Sequence, residues 1–373
     1  MGHTNLDAFI RHGRNISFTV KFHGPTMMAA KQDVITTSLE IDQWVDEVWS
    51  RNFGATSQAI LKTKPFEFSP EDILKMDQDA LRNAASAYLS DVMQREGLDF
   101  TTDEGHRRAQ MVLSSFLNQA MQEAMGIKFY IWASQHDKRV RTAHAERDGK
   151  IFRWDTPPEG GHPSQDFGCR CYAQPLGIEG YFAHVHDVVE THLADLNRWE
   201  RSVDYMYQDT GGNMTVGIGT KLPNSASAAV LPFRYRNTGG VASEAEVVAE
   251  FDEIAALPHG RDYAASYYAP YAQLYVSQAA IEVLKREHVR ADFPGLVSLY
   301  PFFGNLPDPV QLALLDILYN VGLGGLAGFP LMQQAILRGD WEEAARQSHR
   351  GGDVSKVVSR KWWRFSFAVL RAV

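Results

Sequence analysis

The chain has 373 residues, 45% of them apolar and 22% charged, an ordinary globular composition that excludes a disordered or collagen-like chain and a single small module. Lys and Arg number 37 against 45 Asp and Glu, for a net charge of −8, and no basic run carries interleaved aromatics, which argues against nucleic acid as the main partner. No run approaches the roughly 18 uninterrupted apolar residues of a bilayer-crossing helix, and the start MGHTNLDAFIRHGR lacks the apolar core of a secretory signal.

Residues 1 to about 65 offer two readable pieces: ISFTVKF (16–22) alternates like a strand, and SLEIDQWVDEVW (38–49) has helical spacing. Ser69-Pro70-Glu71-Asp72 predicts a helix start, with Ser69 as cap, proline in the first turn and acids at the positive end of the dipole. Leu74, Leu81, Ala85, Tyr88 and Val92 then share one face. A second helix is expected over about 105–125, where Met111, Phe116, Leu117, Ala120, Met121 and Ala124 recur as a core stripe. A stretch rich in His, Arg, Gly and Pro follows (132–178) and closes in CRCYAQPLG; this shift in composition places a domain boundary near residue 178.

From about 183 a new helix carries Val185, Val189, Leu193 and Leu196 on one stripe and reaches Glu200. VDYMY and MTVGIG flank Gly211-Gly212-Asn213 as a hairpin. Residues 222–270 read as a loop-rich stretch of Ser, Ala, Tyr and Gly. Helices are expected at 277–288, 308–321, 330–338, 340–347 and 359–371. The reading is α+β and mostly helical, with one β-hairpin in the C-terminal domain. Three regions result: a mainly helical 1–125, a segment 126–178, and a C-terminal domain 179–373. Charge is uneven, for from Trp341 to the end seven Lys and Arg stand against three Asp and Glu, an excess that favours an anionic polymer.

Cleaving a glycosidic bond needs a proton donor for the leaving oxygen and a second carboxylate that activates water or attacks the sugar. Glu200 falls in the last turn of its helix, where the negative end of the dipole disfavours ionisation and suits a general acid. Asp209 sits beside the hairpin turn, solvated and ionised, and Thr215 on the returning strand offers a hydroxyl near it to help hold a water.

Glu200, eight residues, Asp209, five residues, Thr215 and then Gly217-Ile218-Gly219 resemble the catalytic signature of the phage-type lysozymes, the N-acetylmuramidase family of tailed-phage endolysins. Later landmarks follow in order. LLDILYNVGLGGLAGFP (314–330) resembles the family's long buried helix and the segment that ends it, LRGDWEEAA (337–345) the helix behind it, and SRKWWRF (359–365) its basic closing helix. The resemblance covers about residues 185–373 and implies a helix-plus-hairpin lobe and a helical lobe with peptidoglycan in the cleft between them. It implies Glu200 as general acid, Asp209 and Thr215 positioning the attacking water, Gly219, Tyr319 and Asn320 at the substrate, and Arg360 paired with the glutamate. The family inverts the anomeric carbon, which implies carboxyl groups about 6.5–9.5 Å apart. Two departures stand out: Thr220 replaces a histidine frequent in relatives, and a long 222–270 stretch implies a lid or an altered groove.

WASQHDKRVRTAHAERDGKIFRWDTPPEGGHPSQDFGCRC (132–171) resembles the C-terminal part of the phage Mu F-like head-morphogenesis proteins, with extra residues between His162-Pro163 and the first cysteine. The chain's two cysteines, Cys169 and Cys171, exclude a disulfide scaffold and leave metal binding, a local disulfide or two free thiols open. His144, His162, Cys169 and Cys171 are the donor types of a tetrahedral zinc site, while the muramidase itself needs no cofactor. His136, Asp137 and Glu146 nearby raise an alternative, an added zinc-dependent amidase; a structural phage-head or wall-binding protein is another. The leading expectation is a muramidase fused behind a phage-head-like or toxin-delivery module. Such an antibacterial effector or phage-derived lytic protein would be made in the cytoplasm without a signal peptide and would act in the periplasm or wall of a target bacterium. Its expected partners are peptidoglycan, an immunity protein and a secretion or virion machine, with no nucleic acid and no membrane span.

Overall fold

The computed structural model describes residues 6–12, 16–22, 38–61, 73, 76–97, 99 and 102–348. Arg360 and the expected helix 359–371 lie outside these residues, as do the Ser69-Pro70-Glu71-Asp72 start and Leu74. The chain divides into two compact units, 1–184 and 185–373. The division falls six residues beyond the composition shift at 178, because Ile178–His184 still forms a short helix of the first unit and buries Tyr181 against the Phe129 ring.

The first unit opens with two strands, Leu6–His12 (β1) and Ile16–Phe22 (β2), paired antiparallel; the sequence reading found only β2. Three long helices follow: Ser38–Leu61 (α1), Gln78–Glu96 (α2) and Asp103–Ala124 (α3). Among the described residues α2 starts on Asp77, whose carboxylate accepts the Ala80 N–H at 2.9 Å, and it stops on left-handed Gly97. The expected stripe Leu81, Ala85, Tyr88 and Val92 is buried and packs with Phe116, Leu117, Ala120 and Met121 of α3 in one core. A small antiparallel sheet completes the unit. Its central strand Phe129–Ala133 (β3) lies between Ile151–Arg153 (β4) and Tyr172–Leu176 (β5).

The boundary expected at 125/126 falls inside this unit, where α3 binds the segment after it through buried polar side chains. Asn118 and Gln122 both donate to the Ala173 carbonyl, at 2.9 and 3.0 Å, Ser115 donates to Pro163 O at 2.8 Å, and Trp154 Nε1 donates to Gln122 at 3.2 Å. Arg108, itself buried, holds the Glu96 carboxylate and the Gln165 carbonyl. Buried polar groups must be paired, and here the pairing fixes a loop upon a helix.

Thr142–Ala145 is a short helix of the first unit (α4), and in the second unit His186–Trp199 (α5) buries Val188, Val189, Leu193 and Leu196. Strands Val203–Gln208 (β6), Met214–Gly217 (β7) and Thr220–Lys221 (β8) form a meander. The loop-rich stretch 222–270 also carries regular elements. It holds Ser225–Ala229, Glu244–Ala255 and Ala265–Tyr268 as helices, and Phe233–Tyr235 (β9), which pairs with Leu274–Val276 (β10). The second unit therefore has two strand pairings beyond the expected single hairpin. Ser243 caps Glu244–Ala255 reciprocally with Glu246, a box legible in Ser-x-x-Glu. Buried Glu250 accepts the N–H groups of Gln273 and Leu274, at 2.8 and 2.9 Å, and Gln208 donates to the Ile254 and Leu257 carbonyls, both at 2.8 Å.

The remaining helices fall close to expectation: Gln278–Leu299 runs a further three turns past 288 with Pro294 inside it, and Pro330–Leu337 and Trp341–Gln347 follow. Asp308–Ala327 is, among the described residues, the one helix long and apolar enough to cross a membrane. It buries Leu314, Leu315, Ile317 and Leu318 and is broken at Gly322 (φ +68°), one residue past the predicted end. The whole is mostly helical α+β with small antiparallel sheets.

Candidate functional sites

Glu200 is the residue at which α5 ends, its backbone extended (φ −108°, ψ 143°) and its N–H still donating to Leu196 O at 2.8 Å. The helix is held in place a turn earlier. Fully buried Lys285 bonds Asn197 and Glu282, and Arg286 pairs with Glu190. A buried ammonium is tolerated only with such partners.

Asp209 starts the turn between β6 and β7. Its Oδ1 accepts the N–H groups of Gly211 (2.8 Å) and Asn213 (2.9 Å) and the Asn213 amide (3.0 Å); its Oδ2 accepts that amide at 2.9 Å. Partial burial opposes its charge, but the Asn213 and Gly211 bonds and nearby Lys221 outweigh it and hold the carboxyl below its ordinary range. Gly212 (φ +80°) is required here twice over, since a Cβ would lie 2.8 Å from His259 Nε2.

Thr215 is buried opposite Tyr207 on the β6–β7 ladder. Its hydroxyl proton goes to Asn213 O at 3.0 Å rather than toward Asp209, so toward a water it offers lone pairs only. Gly217 and Gly219 both have positive φ (+69° and +76°), and a Cβ on Gly217 would press on Ile281 at 3.2 Å. Thr220 Oγ1 is buried with no hydrogen-bond partner among the described residues.

Tyr319 closes the arrangement. Its hydroxyl donates to Ile218 O between the two glycines, and its ring edge meets His288 and His192, at centroid distances of 5.0 and 5.9 Å. Burial pushes the Tyr319 phenol well up, and the Glu200 carboxylate adds to the effect, followed by Tyr207. Tyr207 is raised by burial and then by Asp209. The two carboxylates therefore each act on one of two neighbouring phenols, and Tyr207, which the sequence reading passed over, sits in that chain two residues before Asp209. Asn320 is exposed and donates back to Asp316 O on its own helix at 2.7 Å. Gly219 is exposed with open space at its Cβ position, so its glycine serves the backbone turn.

In the first unit, His144 of α4 brings Nδ1 within 3.3 Å of Cys169 Sγ and 3.7 Å of Cys171 Sγ, and all three residues are buried. His144 Nε2 faces Asp166 Oδ2 at 3.4 Å. His162 does not join them: its Nδ1 meets the Tyr130 hydroxyl at 2.9 Å, with its ring packed on those of Tyr130 and Trp154. The four-donor set expected from sequence is thus a three-donor set with Asp166 behind it. His136 and Asp137 pair with Asp148 and Arg170 instead. Burial, followed by the adjacent Cys169, pushes the Cys171 thiol up to about 11. Burial likewise lowers His144, against the pull of Asp166. Both shifts favour the uncharged forms of Cys171 and His144, and a bound cation inverts that preference for the thiol.

Comparison with known proteins finds a family match within the first unit. A 65-residue stretch, 17% of the chain, is 48% identical to an uncharacterized protein of Haemophilus influenzae (strain ATCC 51907 / DSM 11121 / KW20 / Rd), and it spans 14% of that relative's length. Residues 78–174 match the family of Phage Mu protein F like proteins, about a quarter of the chain. The match takes in α2 and α3 as well as the segment that follows, as the buried bonds from α3 to that segment require, and it ends ahead of the second unit. Residues 78–174 form a phage Mu F-like domain.

Proposed function

We propose that residues 185–373 are an N-acetylmuramidase that hydrolyses the glycan strands of bacterial peptidoglycan, carried behind the phage Mu F-like domain. The supporting observation is a chain of neighbouring groups: Glu200 at the end of α5 acts on Tyr319, Tyr319 neighbours Tyr207, and Tyr207 is acted on by Asp209 of the β6–β7 turn. Glu200 serves as general acid toward the leaving oxygen. Asp209, held ionised by its own turn, orients the attacking water with the lone pairs of Thr215, and Tyr319 keeps the Gly217–Gly219 turn in register against it. Arg360 remains the proposed partner of Glu200.

A wall hydrolase joined to a phage-head type of domain fits an antibacterial effector or a phage-derived lytic protein. Its substrate lies outside the producing cytoplasm, so a virion or secretion machine delivers it, and an immunity protein protects the producer. The decisive measurement is digestion of purified peptidoglycan by the full chain, read by product mass. Reducing muramic ends are expected from the wild type and are lost in Glu200→Gln; clearing that persists in Glu200→Gln overturns the assignment.

A further inference from the structure

The His144, Cys169 and Cys171 cluster has no part in the reaction proposed for the second unit. The geometry points to a zinc site in the phage Mu F-like domain, with His144 Nδ1, Cys169 Sγ and Cys171 Sγ as protein ligands, Asp166 orienting the imidazole, and a fourth position open to an exchangeable water or small anion.

Spacing comes first. Zinc bonds of about 2.3 Å to sulfur and about 2.0 Å to nitrogen, at a tetrahedral angle, separate the two ligand atoms by about 3.5 Å. The 3.3 and 3.7 Å separations of His144 Nδ1 from the two sulfurs bracket that value, and all three ligand atoms lie within 4.8 Å of one another. Cys-x-Cys achieves this because the run is buried, exposed, buried: both thiols turn inward while Arg170 turns out to Asp137, at 2.7 Å. Cys-x2-Cys would need a tight turn at the same place; here the chain is entering β5.

The surroundings supply what a ligating histidine requires. With Nε2 facing Asp166, the proton belongs on Nε2 and the Nδ1 lone pair points at the sulfurs. Asp166 is itself fixed: Arg141 holds its carboxylate and the Phe167 carbonyl, and its own carbonyl accepts the Cys169 N–H at 3.0 Å. Two thiolates and one imidazole are a soft donor set that selects zinc over magnesium or calcium. Binding releases the two thiol protons, and the thiolates then neutralise the dication.

The fourth position follows from the pocket that reaches the cluster, lined beyond the ligands by Gln135, Arg139, Arg141, Gly168 and Arg170. It brings no further cysteine, histidine or carboxylate to the metal among the described residues, which leaves the fourth position to a water or small anion.

The test uses the full chain, refolded or grown with zinc, and reads metal content by mass spectrometry and the coordination shell by X-ray absorption. About one zinc per chain is expected, with two sulfur neighbours and two lighter ones. Cys169→Ser and Cys171→Ser should each lose most of the metal, and His162→Gln should keep it. After exchange of zinc for cobalt, sodium azide should shift the visible bands. A chain that stays metal-free in zinc, or a shell without two sulfurs, overturns the site by a route independent of any variant's folding. Loss of metal in His162→Gln equal to that in Cys169→Ser overturns the ligand set, and bands indifferent to saturating azide overturn the open position. None of these outcomes depends on the muramidase reading.

Discussion

The two units build their polar centres in opposite ways. Around Asp209 every hydrogen bond to the carboxylate comes from residues two or four positions further on, so the turn satisfies its own charge locally. Around His144 the sulfurs arrive from 25 and 27 residues away, and the loop that carries them is tied down by Ser115, Asn118 and Gln122 of α3, 48 to 55 residues from their partners. The first centre depends on a turn, the second on a whole unit. Local bonds tolerate change elsewhere in the fold, whereas a long-range network is lost as a block when one member fails.

The largest expected effect tests the second unit's chemistry. Glu200→Gln should lower peptidoglycan digestion by about 10²–10⁴-fold, the range for loss of a general acid, with circular dichroism unchanged. Next is the long-range network. Gln122→Leu removes bonds to Ala173 O, Asn118 and Trp154 from a fully buried side chain, and should cost about 2–4 kcal/mol in denaturant unfolding of the first unit. A cost below that of Asn213→Ala would remove the contrast drawn above.

Gly217→Ala forces a side chain into φ +69° against Ile281 and should cost about 2 kcal/mol, read as a lowered Tm. Glu123 carries a signed pH effect. Burial, helped by Asp155 and opposed by Gln119, raises its carboxyl from 4.5 to about 7. The folded state therefore favours the protonated form; its stability is whole below pH 4.5 and falls as pH rises toward 7. Glu123→Gln should then be more stable than wild type at pH 8 by roughly 1–3 kcal/mol, with the gap closing below pH 4.5.

Asn213→Ala is the smallest, about 1 kcal/mol. Asp209 has a depressed folded pKa, so its contribution exists above the unfolded carboxyl range and disappears as pH falls through the folded value. The difference between wild type and Asn213→Ala should accordingly shrink on acidification, and a carboxyl-carbon NMR titration should show the Asp209 midpoint moving up in the variant.

What could be read from the sequence follows the same division. The end of α5, the β6–β7 turn, the break at Gly322 and the helices 330–337 and 341–347 are written in contiguous residues, and each falls where spacing and caps put it. His144 and His162 are indistinguishable in a linear reading, because which one meets the cysteines depends on how β3, α4 and the 154–171 loop fold together. Asp166 was hidden for the same reason, among the extra residues before Cys169. Within 222–270 small residues and tyrosines mark the loops, while Ser243-x-x-Glu246 before an apolar run marks the helix that the loop-rich composition hides. Tyr207 lay in plain view as an alternating strand residue, and only the approach of Tyr319 from 112 positions later gives it a place near the carboxylates.

The bonding of Asp209 makes its two oxygens unlike. Oδ1 takes three donors and is fully engaged, while Oδ2 takes one. In the reaction proposed above it is therefore Oδ2, with lone pairs the turn leaves unclaimed, that accepts a proton of the attacking water.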